Sequence, residues 1–322
     1  MNADHGFSPA QVDELRVHGI ELFAGRVIFD AQPPMDEDAI AAVQAHCAGP
    51  LPPALLALWR QTAGGRLNYD LSLEVATSDG PRIEEIGWSE LFYHGSDAYN
   101  DLQGWIEHEE DQLWEAAEAA GRDCNDKLHY LPIGGFEYLD RIYVATSPDA
   151  VDAGGVLAWK QGLPPTWAPA LTEDVAVTFA PDLHAAFSHL ALHNDPLHPV
   201  GEYGHLGAGV ELLEYLDARC DDHGLPRALA DALVAYFLRA LVDWRGLLDA
   251  RILATHPYAL RLALRHAVEQ DDAALLVRIK DSGARMDGLV AGGHDALRYA
   301  RFLKKPDAIA TLERLDSSIG LA

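Results

Sequence analysis

The sequence predicts an α+β domain followed by an all-α domain of helical repeats, and three observations carry that division. Between 66 and 179, short apolar runs alternate at period two around Gly-containing turns, with helical segments among them. Beyond 209 the Leu, Val, Ala and Phe residues recur at helical spacing. The stretch HNDPLHPVGEYGHLGAG at 193–209 has the prolines and glycines of a boundary. A chain of 322 residues, 49% apolar, has room for two domains with proper cores, here expected as 1–200 and 201–322.

The elements follow in order. Ser8 is a natural N-cap with Pro9 at the first helical position, predicting a helix over 8–18. RVIFD at 26–30 reads as a strand and PPMD at 33–36 as a turn. A helix over 36–47 places Ile40 and Val43 on one face and Asp36, Glu37 and Asp38 at its positive end. In LPPALLALWRQTAGG, residues 51–65, two prolines pre-set φ for a helix over 53–63 that buries Leu55, Leu58 and Trp59. Gly64 and Gly65 stop it.

Strands are expected near 66–76 and 81–87 around the SDGP turn, then a helix over 102–120 with Ile106, Leu113 and Ala117 on one face. Strands resume at 128–132 and at 139–146, where Ile142 and Val144 alternate with Arg141 and Tyr143. GVLAW at 155–159 and VAVTF at 175–179 follow, and a helix over 181–193 closes the domain. Short turns between successive strands imply an antiparallel or mixed sheet. Segments 210–221 and 226–243 are helical.

The net charge is −26, and it is unevenly spread. Residues 1–200 carry 9 Lys and Arg against 32 Asp and Glu; residues 201–322 carry 15 against 18. An acidic field of this kind repels nucleic acid and anionic membrane and attracts a basic protein. Cys47, Cys124 and Cys220 are far apart and form no CxxC, which suggests a reducing compartment and no zinc site. The N-terminal sequence lacks a basic stretch followed by an apolar one, and no run of 18 apolar residues occurs. A cytoplasmic location is the expectation.

Catalytic signatures are missing from the sequence: no GxSxG elbow, Walker loop, HExxH or GxGxxG. An enzyme is not expected, nor a cofactor. Histidines gather at 184, 189, 193, 198 and 205, and His189 and His193 have the i,i+4 spacing of a shared metal. No acid or cysteine joins them at a matching offset, so no metal site is expected. The strongest interaction candidate is EHEED at 107–111 between Trp105 and Trp114. Glu107, Glu109, Glu110 and Asp111 would concentrate negative potential, with Trp105 as a desolvated anchor. WSELFYHGSDAY at 88–99 adds Trp88 and Tyr93 as contact residues.

The order of these segments resembles the SUKH superfamily, also called the Smi–Knr domain, over roughly 36–193. The residues that carry it are Leu51, Pro52, Gly64, Gly65, Leu131, Pro132, Gly134, Asp140, Gly155, Val156 and Trp159. The family often has Asn before the glycine pair, where this chain has Ala63. A second resemblance lies toward the C-terminus. Ala267 and Ala300, Leu276 and Ile309, and Ile279 and Leu312 are each 33 residues apart, the ankyrin period. GARMDGLVAGGHDALRYA at 283–300 is similar to the ankyrin turn, with Gly283 ending one helix and Ala296-Leu297 beginning the next. Asp295-Ala296-Leu297-Arg298 stands where the family has Thr-Pro-Leu-His.

The SUKH resemblance implies an immunity protein that binds a secreted toxin domain in the cytoplasm and blocks it. A basic toxin, such as one that acts on nucleic acid, is the natural partner of the acidic half. The alternative is a regulatory adaptor that uses SUKH-like and ankyrin-like surfaces. Both readings are of binding rather than catalysis.

Overall fold

The chain opens with a helix started by its own side chains. Ser8 N donates to Gln11 Oε1 at 2.8 Å, Gln11 N donates back to Ser8 Oγ, and Pro9 begins α1 (Pro9–Val17). The computed structural model describes residues 6–77, 79–96, 98–121, 127–136, 140–147, 153–160, 175–193 and 209–317. Most of the expected linker 193–209, Cys124, His198 and His205 lie outside the described residues.

Strands β1 (Ile20–Phe23) and β2 (Arg26–Phe29) form an antiparallel hairpin. Asp36 caps α2 (Glu37–His46) by accepting from Ala39 N at 2.8 Å. The next helix, α3 (Pro53–Trp59), is shorter than expected because Thr62 donates to the Gly64 carbonyl in a turn that replaces its last part. The chain then enters β3 (Gly65–Arg66), the paired strands β4 (Leu71–Thr77) and β5 (Gly80–Ile86), and β6 (Glu90–Leu91). After α4 (Leu102–Ala119) come β7 (Tyr130–Phe136), β8 (Asp140–Ala145), β9 (Val156–Lys160) and β10 (Val175–Ala180). The last helix before the boundary region, α5 (Leu183–His189), stops short of 193, since Ala191 bridges to Asp70 instead.

Among the described residues, one eight-stranded sheet runs β1-β2-β3-β6-β7-β8-β9-β10, each neighbour antiparallel. This bears out the α+β class with an antiparallel sheet. The register of β7 against β8 shifts between Pro132 and Gly134, which is where a central strand can tolerate a proline.

Two glycine pairs meet at β6. Gly65 pairs with Leu91 on one edge; Gly134 pairs with Leu91 and Gly135 with Glu90 on the other. A Cβ on Gly64 would overlap the Tyr93 ring, and one on Gly134 would overlap the Glu90 carbonyl oxygen. Gly135, at φ +154, would run into the Asp140 carbonyl oxygen. The backbones come this close only because no side chain intervenes.

Internal contacts divide the chain into two units, Met1–Leu71 with Ile86–Leu241 and Ser72–Glu85 with Val242–Ala322. This differs from the division at 200/201 in two respects. Helices α6 (Val210–His223) and α7 (Arg227–Phe237) group with the first unit: Tyr215 donates to His18 O at 2.8 Å, and Phe237 lies 4.8 Å from Tyr69. Strands β4 and β5 group with the second, where Ile83 N donates to Gly292 O at 2.8 Å.

The second unit continues with α8 (Trp244–Asp249), α9 (Pro257–Glu269) and α10 (Ala273–Asp281), then β11 (Leu289–Ala291) and β12 (His294–Asp295), and ends in α11 (Ala296–Phe302) and α12 (Pro306–Ser317). It is therefore not all-α. Its two helix pairs repeat in their backbone. Asp271 and Lys304 both take left-handed φ, +54 and +58. Asp272 N donates to Ala267 O, and 33 residues on Lys305 N donates to Ala300 O.

Gly134→Ala is expected to lower unfolding stability by about 3 kcal/mol in urea titration, because the backbone oxygen it meets cannot step aside. Gly104→Ala, in α4 with ordinary contacts around the new methyl, should instead stabilise by about 0.5 kcal/mol. Equal effects from the two would contradict the role given to the Gly134 approach.

Candidate functional site

Helix α4 carries the candidate site, and its 18 residues present two chemically different faces. Leu102, Trp105, Ile106 and Glu109 are buried. Glu107, Asp111, Trp114, Glu115 and Glu118 are exposed, spaced to share one side at 3.6 residues per turn. Asp101 starts the helix, its carboxylate accepting from Gly104 N at 2.8 Å.

EHEED is therefore not one patch of four carboxylates. Glu109 is 2% exposed and its Oε1 accepts from the Tyr143 hydroxyl at 2.8 Å. Glu110 is half-buried, with Oε1 2.6 Å from His46 Nδ1. Only Glu107 and Asp111 reach solvent freely; Glu107 also accepts from Gln103 Nε2 at 3.0 Å. Consecutive helical residues point about 100° apart, so four neighbours cannot share a face. The exposed acids extend the stripe C-terminally instead, through Glu115 and Glu118.

The aromatic anchors also fall elsewhere. Trp105 is 3% exposed, stacked on Phe92 at 5.3 Å, with its Nε1 donating to Tyr99 O. Trp88 is 1% exposed and meets Phe187 edge-on at 5.2 Å. These indoles belong to the core and cannot meet a partner at the surface. Tyr93 is half-buried over Gly64, and burial pushes its phenol pKa up. Among the described residues the exposed indole is Trp114, at 57%. It lies within the acid stripe, between Asp111 and Glu115.

Beneath α4, strand β8 is buried on both faces. Arg141 places its guanidinium 3.3 Å from the Trp105 ring centre, and Tyr143 bonds Glu109. Burial raises the Glu109 pKa to about 7, against the lowering effects of the Tyr143 hydrogen bond and the Arg141 charge. Tyr143 is held neutral by its own burial, with the Glu109 charge acting in the same direction. The platform under the acidic stripe is thus a buried charge cluster. Sequence alternation alone set Arg141 and Tyr143 on the opposite face from Ile142 and Val144, but could not tell that α4 covers them.

His189 ends α5 and His193 lies beyond it, so the two do not share a helical face. His189 meets the Phe179 ring edge-on at 5.5 Å, and His193 N donates to Asp70 Oδ2 at 2.9 Å. Among the described residues, no group of three or more His, Cys, Asp or Glu is arranged to hold a metal. Cys47 is buried, which pushes its thiol up to about 12. No helix among the described residues is long and apolar enough to cross a membrane.

Glu109 predicts a pH dependence. The folded state holds its proton up to about 7, whereas the unfolded carboxyl releases it near 4.5. Stability from this group is therefore full below 4.5, falls as pH rises through 7, and is level above. The loss is on the order of 3 kcal/mol. Glu109→Gln should shrink the difference in urea stability between pH 4.5 and pH 8 by about that amount; an unchanged difference would show that Glu109 does not titrate in this window.

Comparison with protein-family models, with curated proteins and with solved structures gives no match for this chain.

Proposed function

We propose that this chain is an immunity protein that binds a basic toxin domain through the exposed face of α4 and blocks it by contact, without catalysis. The observation that carries the reading is the stripe Glu107, Asp111, Glu115 and Glu118 around the solvent-exposed ring of Trp114. Aromatic rings ringed by charge supply the desolvated centre and polar rim of a specific interface. The first unit holds 11 cationic against 35 acidic side chains, a net charge of −24, so its field draws a cationic partner in. Fast encounter suits a protein that must reach a toxin before it acts.

The fold reading that goes with this is SUKH-like for the first unit and ankyrin-like for the second. It is supported by the resemblance of residues 36–193, whose glycine pairs flank β6, and by the 33-residue repetition of helix pairs. A cytoplasmic site of action follows from the same reading. A scaffold that joins two partners is the second reading, favoured by a groove of about 550 Å³ in the second unit with Lys280, Arg285, Arg298 and Arg301 on its walls.

The test uses the basic toxin domain that this reading expects to be encoded beside the gene. Glu107, Asp111, Glu115 and Glu118 changed together to Lys should slow association about tenfold and flatten its salt dependence. Trp114→Ala should raise the dissociation rate about tenfold or more. The control reverses Glu74, Asp281, Asp307 and Asp316, exposed acids of the second unit. Should the control set abolish neutralisation while the stripe and Trp114 variants bind as wild type, the contact belongs to the second unit.

A further inference from the structure

We propose that the first unit also holds a binding site for a small phosphate monoester, in a cavity of about 600 Å³ lined by Arg16, Arg60 and Arg219. Only 11 cationic side chains belong to this unit, and three of them face this one space. Its volume is that of a small-molecule pocket, and no lining residue comes from α4.

The cations are held in place. The Arg219 guanidinium lies 4.6 Å from the centre of the Tyr215 ring, and the Tyr215 hydroxyl is tied to His18 O at 2.8 Å. Among the described residues no carboxylate pairs with Arg219. The Tyr215 hydroxyl also takes a hydrogen bond from Arg219, which leaves the remaining in-plane N–H donors for an oxyanion. Arg16 donates through Nε to Glu21 Oε1 at 2.8 Å. Arg60 donates through Nε and Nη2 to one oxygen of Glu37, in an exposed pair that a better acceptor can displace.

The fourth element is Glu21, which is 6% exposed. Its Oε2 is buried with no hydrogen-bond partner among the described residues. Desolvation raises the Glu21 pKa, against the lowering effects of the Arg16 hydrogen bond and charge, so this carboxyl resists negative charge more than an exposed one beside the cavity would. Three guanidinium groups suit a doubly charged group with three terminal oxygens, which is a phosphate monoester rather than a single carboxylate. Pro33 and Pro34 give the wall an apolar surface for the organic part of the ligand. Asp30 shares the wall and Asp13 pairs with Arg16 at 3.4 Å, so the three guanidinium groups outnumber the carboxylates free to oppose an anion there by only a small margin, while the acids elsewhere on the unit are screened over about 8 Å at 0.15 M salt.

Titration calorimetry of the full chain at about 0.15 M salt, with inorganic phosphate, AMP and uncharged adenosine as probes, tests the site. Phosphate and AMP should bind with Kd below about 1 mM and adenosine should not. Arg219→Ala should weaken AMP about tenfold with the melting temperature unchanged; Arg60→Gln, an exposed position, provides the same reading should Arg219→Ala misfold. Arg66→Ala, whose partner is Glu211 and which lies outside the cavity wall, should leave AMP affinity as it was. Absence of phosphate and AMP binding, equal binding of adenosine, or affinity that survives both cavity substitutions would overturn the proposal.

Discussion

Among the described residues the sheet hangs together through β6, whose two residues, Glu90 and Leu91, join β1–β3 to β7–β10 in its single strand order. A strand this short has few ladder bonds to offer, so its attachment depends on how closely its neighbours come. Glycine permits that approach: Gly64 leaves room for Phe92 and Tyr93 and Gly134 for Glu90, while their neighbours Gly65 and Gly135 do the same toward β2 and β8. Trp88 and Phe92, which flank this strand, are then carried into the core. Phe92 stacks on Trp105 and so fixes the approach of α4. The position of the acidic helix thus traces back to four residues without side chains.

Helix α4 combines two uses of negative charge. Glu109 is spent inward, on a buried cluster with Tyr143 and Arg141 whose desolvation opposes folding above neutral pH. Glu107, Asp111, Glu115 and Glu118 face water, where carboxylates are inexpensive to hold and act at a distance. The buried cluster gives the helix one fixed rotation on the sheet. That rotation decides which acids, and which indole, are exposed.

Much of the fold was legible in the sequence, and the losses have physical causes. Caps and periodicity located α1, α2 and α4 to within a residue or two, because Ser8, Pro9 and Asp36 act locally. Strands β6, β11 and β12, two or three residues long, are too short to show a period. The boundary at 200/201 was drawn from proline and glycine content, which marks a change of local structure and not which core a helix joins; Tyr215 and Phe237 put α6 and α7 with the first unit. At the candidate site, composition points to α4 but carries no information on its rotation, which turns Trp105 and Glu109 into the core and leaves Trp114 exposed. The cluster at Arg16, Arg60 and Arg219 spans more than 200 residues of sequence and has no motif to announce it.

Hydrogen–deuterium exchange of the full chain, alone and with a basic toxin domain of the kind proposed as its partner, tests the central claim most directly, because it reports which backbone segments a partner covers. Protection on binding should concentrate in 102–119, with little change in 242–317. Protection confined to 242–317, with α4 exchanging as in the free protein, would contradict the account.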